Sequence, residues 1–318
     1  MGILLCPVCG NELKKDEKRL FCSNAHSFDI AKEGYVNLLI SNKSGDKTGD
    51  SKESARARHE FLEKGYFSFL KDEISRKMRG TVLDICCGEG YYDDYSGELY
   101  GFDLSKETVR IAAKRKNGGF YFVANLKAIP IKSESVDTAV HIFAPFNAAQ
   151  FAKVLKKDGR LYSVVPSPEH LIELKTLVYE TPYLNDENYP DGNGLKLVSK
   201  QKISKVLNIP RDDLKTLFSM TPYYYRTSEA DKDKINSVES LDTTLAFTIL
   251  EYEKAELGTP PFRFLIKNTR QSNKLPGVFI ILFFIIHGFV NTEAADKAAV
   301  IIPLHGKRPH FLFAVLLK

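Results

Sequence analysis

Short apolar runs alternate with amphipathic segments through the middle of this chain. Five runs have the length and composition of buried strands, at residues 82–85, 99–103, 120–124, 136–143 and 155–165. Ser105 is a suitable N-cap for a helix over 105–116, which has Glu107 in its first turn and Lys114 in its last. Strands that alternate with short helices predict a doubly wound parallel sheet.

Helical and extended patterns flank this central region. Residues 54–78 repeat apolar side chains at helical spacing, and Gly65 is expected to divide them into two helices. Residues 28–39 are an extended segment whose apolar side chains must dock elsewhere, and the polar residues 41–51 predict a flexible loop. Further elements are predicted as a helix that begins just before His170, a strand at 197–204, a helix at 211–218 and a closing strand at 245–252.

The first predicted strand contains Asp84 and ends in a turn with Gly88 and Gly90, where the backbone can approach a ligand closely. The second strand ends in Asp103, whose carboxylate can accept two hydrogen bonds from a ribose diol. The glycine spacing differs from that of dinucleotide enzymes and is closer to the Asp-x-x-x-Gly-x-Gly loop of S-adenosylmethionine (SAM) methyltransferases. The residues after this loop are expected to begin a helix.

Further candidate ligand residues lie at the ends of later strands, where ligand crevices form in parallel sheets. Asn125 and Leu126 follow the third strand, and Asn125 could hydrogen-bond an adenine edge. His170 follows the fifth strand, and a lone histidine in that position is more often structural than catalytic.

Residues 1–30 carry four metal-ligand side chains with the spacing Cys6-x2-Cys9-x12-Cys22-x3-His26. Two such pairs, each on a tight turn, can surround one Zn²⁺ tetrahedrally. A segment of this size buries too little apolar surface to fold alone, so the metal would supply much of its stability. The spacing leaves open whether the ribbon is structural or also contacts nucleic acid.

The 318 residues carry a net charge of +5, which is unevenly distributed. Residues 1–256 carry 37 basic and 38 acidic side chains, whereas residues 257–318 carry 8 and 2, so the basicity belongs to the last stretch. An apolar run at 278–289 is shorter than the ~20 residues of a membrane-spanning helix. This stretch could be a membrane-surface attachment, an appended module or sequence read through beyond the normal end of the gene, and we favour the last.

Five cysteines without a secretory signal indicate a reducing compartment, in which thiols serve as metal ligands or core residues. We therefore expect a cytoplasmic protein. The predicted layout is a zinc ribbon at 1–40, a helical linker at 41–80, a methyltransferase domain at 81–256 and an atypical tail at 257–318.

The zinc knuckles and the segments FDIAKEGYVNLL, VLDICCGEGYY, GFDLSKE, APFN and PSPEHLIELK occur in this order. In this combination the chain, from Cys6 to Glu253, resembles the bacterial 23S rRNA guanine-N1 methyltransferases of the RlmA/TlrB type. The resemblance implies a Rossmann-like SAM-dependent methyltransferase sheet with an N-terminal zinc ribbon. It also implies a homodimer that methylates N1 of a guanine, position 745 or 748, in the helix 35 loop of 23S rRNA.

The resemblance also assigns site residues. The family's zinc ligands fall on Cys6, Cys9, Cys22 and His26, and its SAM contacts fall on Cys87, Gly88, Glu89 and His170. Phe67 stands where relatives have an aromatic residue before the methyltransferase domain, and Cys86 replaces the first glycine of the loop. Because Cys86 is small, we expect a less favourable turn rather than a loss of binding.

For the substrate we hypothesise that the loop 144–147 receives the guanine, with Phe146 stacking on the base and Asn147 hydrogen-bonding its edge. The guanine must leave its stack to reach the cofactor. The expected partners are a 23S rRNA hairpin and a second copy of the chain, without DNA or a membrane. Two alternatives remain open: a methyltransferase acting on a small molecule, and a nucleic-acid-binding protein without catalytic activity.

Overall fold

The computed structural model describes residues 2–40, 52–255, 279–283 and 299–303. The chain divides into two compact units, Met1–Ala255 and Glu256–Lys318. The expected loop at 41–51 lies outside the described residues, and so does the tail except for its two short described segments.

The N-terminal segment forms a small antiparallel sheet of strands β1 (Lys14–Lys15), β2 (Arg19–Phe21) and β3 (Ser27–Asp29). Strand β4 (Val36–Asn37) follows, and it belongs to a second, larger sheet. Helices α1 (Lys52–Glu63) and α2 (Ser68–Ser75) come next, and Gly65 between them has φ +80°. The predicted division of this segment into two helices is therefore confirmed.

The remaining elements of the first unit are β5 (Val82–Ile85), β6 (Leu99–Asp103), α3 (Lys106–Lys114), β7 (Phe120–Val123), β8 (Val136–Ile142), α4 (Ala148–Val154), β9 (Leu155–Pro166), α5 (Ile172–Val178), β10 (Leu195–Pro210), α6 (Arg211–Ser219), α7 (Glu229–Asp233) and β11 (Ser240–Lys254). Among the described residues, eight strands form one sheet in the order β10-β11-β9-β8-β5-β6-β7-β4. The strands from β9 to β4 in this order run parallel, whereas β11 and β10 are antiparallel.

Strand β5 lies near the middle of this sheet, and the later strands are added first on one side of it and then on the other. The chain passes through β6 to β7 on one side, and then returns to add β8 and β9 on the other. The carboxyl ends of β5, β6, β7 and β8 therefore meet at the edge where the connection reverses direction, which is where open α/β sheets bind ligands. The predicted doubly wound sheet is confirmed.

The prediction of a helix after the glycine turn is wrong. Residues 90–98 form turns and bends between β5 and β6, so this parallel crossover contains no helix. Tyr91 and Tyr92 bury their rings in its place, against the cluster that contains Leu70 and Ile74 of α2. Two aromatic side chains thus cover apolar surface of the sheet at the position of the expected helix.

The last three strands differ from the predicted ones in extent. Strand β9 continues through the expected turn at 157–159, and its pairing with β8 shifts register there. Strands β10 and β11 pair from Leu195 with Lys254 to Pro210 with Ser240, so both are much longer than their apolar patterns indicate.

The N-terminal ribbon shares a hydrophobic core with the large sheet. Leu4, Leu13 and Leu20 are buried in one cluster with Phe122 and Ile131. Strand β4 pairs parallel with β7 at the edge of the sheet, so the segment at 28–39 docks there. The fold of the ribbon and the fold of the sheet are therefore energetically linked.

In the second unit, strands β12 (Phe279–Phe283) and β13 (Ala299–Pro303) pair antiparallel. Across the described residues, the helices are all too short or too polar to cross a membrane.

Candidate active site and metal centre

Cys6, Cys9, Cys22 and His26 converge at one point of the ribbon, with their ligand atoms within 4.8 Å of one another. The Cys9 Sγ–Cys22 Sγ distance is 3.7 Å, and Nδ1 of His26 lies 3.6 Å from Sγ of Cys6 and 3.4 Å from Sγ of Cys22. Tetrahedral Zn²⁺, with bonds of about 2.3 Å to sulfur and 2.0 Å to nitrogen, requires edges of roughly 3.8 and 3.5 Å. The four side chains therefore fit one zinc ion.

Local turns bring the two ligand pairs into position. Gly10 N donates to Cys6 O, and Ala25 N donates to Cys22 O, at 2.8 and 3.0 Å. Gly10 and Ala25 both have positive φ, which lets each turn close tightly around its pair of ligands. The ligand geometry thus follows from local sequence on both sides of the β1–β2 hairpin.

The glycine loop after β5 is held by Asp103 at the end of β6. Asp103 Oδ2 accepts from Gly88 N at 3.1 Å, and Oδ1 accepts from Ser105 N at 2.8 Å. A Cβ on Gly88 would meet no atom within 4 Å, so its backbone is open to a ligand. At Gly90 a Cβ would come within 3.1 Å of Ala112 Cβ and Tyr121 Oη, so this glycine allows close packing.

Cys86 adopts the left-handed conformation, with φ +57°. Only glycine takes this conformation without steric cost, and a side chain costs about 1–2 kcal/mol there. Cys86 therefore raises the free energy of the loop relative to glycine at this position.

A cavity of about 700 Å³ opens at the carboxyl ends of the central strands. This volume is typical of cofactor sites. The predicted cofactor residues that line it are Phe67, Asp84, Cys87, Gly88, Glu89, Asp103, Asn125, Leu126 and His170. Gly90 does not line the cavity. The structure thus brings together side chains from separate parts of the chain.

Asn125 and His170 present different groups to the cavity. Asn125 Oδ1 accepts from Lys127 N at 2.9 Å, so the side-chain amide nitrogen is the donor end. His170 Nδ1 accepts from Ala246 N at 3.2 Å, which places the hydrogen of the neutral ring on Nε2. Burial, together with the charge of Lys175, lowers the pKa of His170 to about 3. His170 is therefore a neutral hydrogen-bond donor at physiological pH and not a base.

Glu89 anchors the glycine loop through contacts that sequence reasoning missed. Its Oε1 lies 3.0 Å from His59 Nδ1 of α1 and forms an ion pair with Arg115, whose Nε also donates to Glu89 O at 2.7 Å. Arg115 pairs with Glu63 as well, at 2.8 Å. Because Arg115 pairs with both carboxylates, this cluster links α1 to the glycine loop.

Asp84, which lines the cavity, forms a buried carboxyl pair with Asp93. The two side chains hydrogen-bond to each other, and Tyr121 Oη donates to Asp93 Oδ2 at 2.9 Å. Burial raises the pKa of Asp93 to about 6 and holds that of Asp84 well above its ordinary value, where the charge of Asp93 adds to the effect. The pair therefore holds at least one proton in the folded protein at pH values where both carboxyls ionise in the unfolded chain.

We expect this pair to make stability depend on pH. The folded pKa of Asp93 lies above its unfolded value of about 3.9, so its contribution is fully present below pH 4 and is lost as pH rises through about 6. In Asp93→Asn the amide can still donate to Asp84 and accept from Tyr121. The free energy of unfolding of the natural protein relative to Asp93→Asn should fall by a few kcal/mol between pH 4 and 7, measured by denaturant titration. Parallel pH curves for the two proteins would contradict the assignment.

The loop after β8 reaches the cavity through Phe143, Ala144 and Pro145. Phe143 is 43% exposed and has φ +53°, a conformation that is a rare exception for a bulky side chain. Phe146 instead packs its ring against Phe151 and Tyr252 at 5.1 and 5.4 Å.

Asn147 has a helix-capping contact, in which its Oδ1 accepts from Gln150 N at the start of α4. Neither Phe146 nor Asn147 lines the cavity. Their hypothesised contacts with the substrate stay predictions.

Two family models match the chain, the RlmA N-terminal zinc ribbon at residues 4–45 and a methyltransferase domain at residues 83–163. A Micromonospora griseorubida protein assigned as a 23S rRNA (guanine-N1)-methyltransferase is 32% identical over 202 residues, 54% of this chain and 68% of the relative. The protein YxjB of Bacillus subtilis, with the same assignment, is 29% identical over 270 residues, 77% and 95% of the two chains. The 23S rRNA (guanine(748)-N1)-methyltransferase of Streptomyces fradiae is 28% identical over 243 residues, 69% and 84% of the two chains.

The sheet, the glycine loop and these matches define a SAM-dependent methyltransferase with an N-terminal zinc ribbon. Its cofactors are SAM and Zn²⁺. The chain belongs to the family of 23S rRNA (guanine-N1)-methyltransferases, as the order of its motifs indicates.

Proposed function

We propose that this enzyme transfers the methyl group of SAM to N1 of a guanine, position 745 or 748, in the helix 35 loop of 23S rRNA. The observation that carries the proposal is one cavity lined both by the glycine loop with Asp103 and by the loop of Phe143 to Pro145. A cavity of about 700 Å³ has room for a nucleoside cofactor and a flat ring beside it. The chain spans most of the length of the B. subtilis and S. fradiae relatives, so their substrate class is the natural one to test.

The residues of the chain hold the two reactants in line and keep water out. The sulfonium of SAM supplies an electrophilic methyl group, so positioning does most of the catalytic work. Asp103 accepts from the ribose diol, the absence of a side chain at Gly88 leaves room for the ligand, and Asn125 donates to the adenine edge. His170 donates from Nε2, and Phe67 packs on the cofactor.

Guanine N1 must lose its proton when the N–CH3 bond forms. His170 cannot take this proton, because its Nδ1 is already an acceptor and its pKa is about 3. Asp84 belongs to the buried carboxyl pair with Asp93, in which burial raises its pKa, and Glu89 is paired with Arg115. We propose that a water molecule accepts the proton, while the sulfonium becomes the neutral thioether.

Phe143 is the residue that we propose to stack on the target guanine. A bulky side chain in the left-handed region, with much of its ring exposed, costs free energy that burial does not offset. Its ring contacts Phe247 at 5.3 Å, and Phe247 contacts His170 at 4.8 Å. A base stacked on Phe143 would therefore lie beside two other rings that line the cavity.

We expect Phe143→Ala to lower kcat/KM for RNA by roughly 5- to 150-fold while the Kd for SAM stays unchanged, because stacking on one ring contributes about 1–3 kcal/mol. Phe143→Tyr should retain most of the activity. Phe146→Ala is the matched control, since its ring packs within the core and its loss should lower the melting temperature first. If Phe146→Ala alone lost kcat at full stability, the earlier assignment of Phe146 would be preferred.

The function is tested by incubating the zinc-loaded protein with radiolabelled SAM and a helix 35 hairpin transcript. Methylation of N1 blocks base pairing, so reverse transcription should stop at the modified guanine. A transcript with adenine at that position is the control and should give neither label nor stop. Label on small molecules alone, or SAM binding without transfer to RNA, would contradict the proposal.

Two further expectations accompany this function. Analytical ultracentrifugation should show a homodimer, and the rRNA substrate agrees with the cytoplasmic location that the cysteine usage indicates.

A further inference from the structure

A second cavity, of about 550 Å³, adjoins the cofactor cavity. The two share Asn185, Pro222 and Tyr223 as a common wall. Tyr179 and Tyr183 complete the aromatic lining of the second cavity, which none of the cofactor or substrate assignments uses.

Three tyrosine rings in this second cavity form one cluster. Their centroids are 6.0 Å apart for Tyr179 and Tyr183, and 6.4 Å apart for each of the other two pairs. Tyr183 is 48% exposed, and the buried hydroxyl of Tyr223 has no hydrogen-bond partner among the described residues. The cluster therefore offers both aromatic surface and an unused polar group.

The charge beside this cluster is positive. Lys175 is 1% exposed, and its Nζ lies 4.7 Å from the ring centroid of Tyr183 and 5.5 Å from that of Tyr223. It donates to Tyr183 O and Asn185 Oδ1 at 3.1 and 2.8 Å, and no carboxylate pairs with it in the described part of the chain. Arg226 lines the cavity as a second cation, against one acidic residue, Asp186.

We propose that this tyrosine cavity binds an unstacked base of the RNA next to the target guanine, with Arg226 facing its phosphate. The inference rests on the proposed function. Every nucleobase presents a π-face to tyrosine, and single-stranded RNA is recognised by such stacking combined with cationic groups. Because Tyr223 lines both cavities, a base bound in the second cavity would lie next to the cofactor cavity.

The test uses the fact that the chain has no tryptophan. Tyr183→Trp introduces a single reporter whose fluorescence is quenched when a base stacks on it. Tyr225→Trp is the matched control, because Tyr225 is 76% exposed and lines neither cavity. The helix 35 hairpin should quench the fluorescence of the Tyr183→Trp protein and leave that of the Tyr225→Trp protein nearly unchanged, whereas equal quenching, or none, overturns the proposal.

A binding measurement complements the fluorescence. Tyr183→Ala should raise the Kd for the hairpin about tenfold with SAM affinity unchanged, and Tyr183→Phe should restore it, because the ring and not the hydroxyl of Tyr183 stacks. If the natural protein methylates the hairpin and Tyr183→Ala binds it normally, the cavity assignment is wrong and the function stands. If the Tyr183→Trp reporter is quenched by RNA that the natural protein does not methylate, the cavity assignment stands and the function is wrong.

Discussion

Asp103→Ala is expected to weaken SAM binding at least a hundredfold. The carboxylate holds the glycine loop through Gly88 N, and in the proposed complex it also accepts from the ribose diol. Hydrogen bonds to a charged group contribute about 1.5–3 kcal/mol each, so the loss of two reaches this magnitude. Calorimetric titration of the purified protein with SAM measures the change directly.

Two comparisons separate the ribose contact from the support of the loop. A 2′-deoxy analogue of the cofactor product should bind the natural protein more weakly than the product itself, but should show no such difference with Asp103→Ala. Asp94→Ala removes an exposed carboxylate from the connection between β5 and β6, and it should leave the Kd for SAM unchanged. An unaltered Kd in Asp103→Ala would remove the basis for the cofactor site.

Cys22→Ser is expected to abolish stoichiometric zinc binding and to lower the melting temperature by about 10 °C or more. Structural zinc contributes about 10–16 kcal/mol of binding free energy, most of which depends on a complete ligand set. The effect should reach the methyltransferase sheet, because Leu4 and Leu20 of the ribbon share a core with Ile131 and β4 pairs with β7.

Cys86→Ser is the matched control for the zinc variant, since Cys86 lies outside the ribbon. Zinc released from the denatured protein, counted per chain, should be one for the natural protein and Cys86→Ser, and near zero for Cys22→Ser. Chelation of the natural protein should reproduce the thermal shift. A Cys22→Ser protein with full zinc content would contradict the ligand assignment.

The elements that the sequence predicts well are those whose signal is local. The parallel strands β5, β6 and β7 are short apolar runs, and each is buried on both faces. Helix α3 begins after its predicted cap, where Ser105 accepts from Thr108 N. The four zinc ligands are similarly local, because two tight turns and one hairpin bring them together.

The elements that the sequence predicts poorly depend on partners that lie far away along the chain. Strand β10 is mostly exposed and rich in lysine, as is typical of a protected edge, so its length follows from pairing with β11 and not from its own pattern. The sequence predicts the start of a helix after Gly90, but the rings of Tyr91 and Tyr92 pack on apolar surface beside α2 instead.

The candidate site shows the same division. Gly88 and Asp103 are recognisable from their places at the ends of strands, whereas His59 and Arg115 reach Glu89 only through the packing of α1 and α3 on the loop. The sequence places Phe146 in a loop and Phe143 at the end of a predicted strand. In the structure, however, Phe143 lines the cavity and Phe146 packs against the core.

The sequence by itself therefore determined the class of fold, the metal ligands and the edge of the sheet where the cofactor belongs. These depend on strand length, turn chemistry and ligand spacing, which act over a few residues. Only the tertiary structure decided which aromatic side chains face the cavity, which carboxyls share a proton and where the tyrosine cavity lies. Those properties arise when segments far apart in the chain exclude water from one another, and no local pattern records which segments will meet.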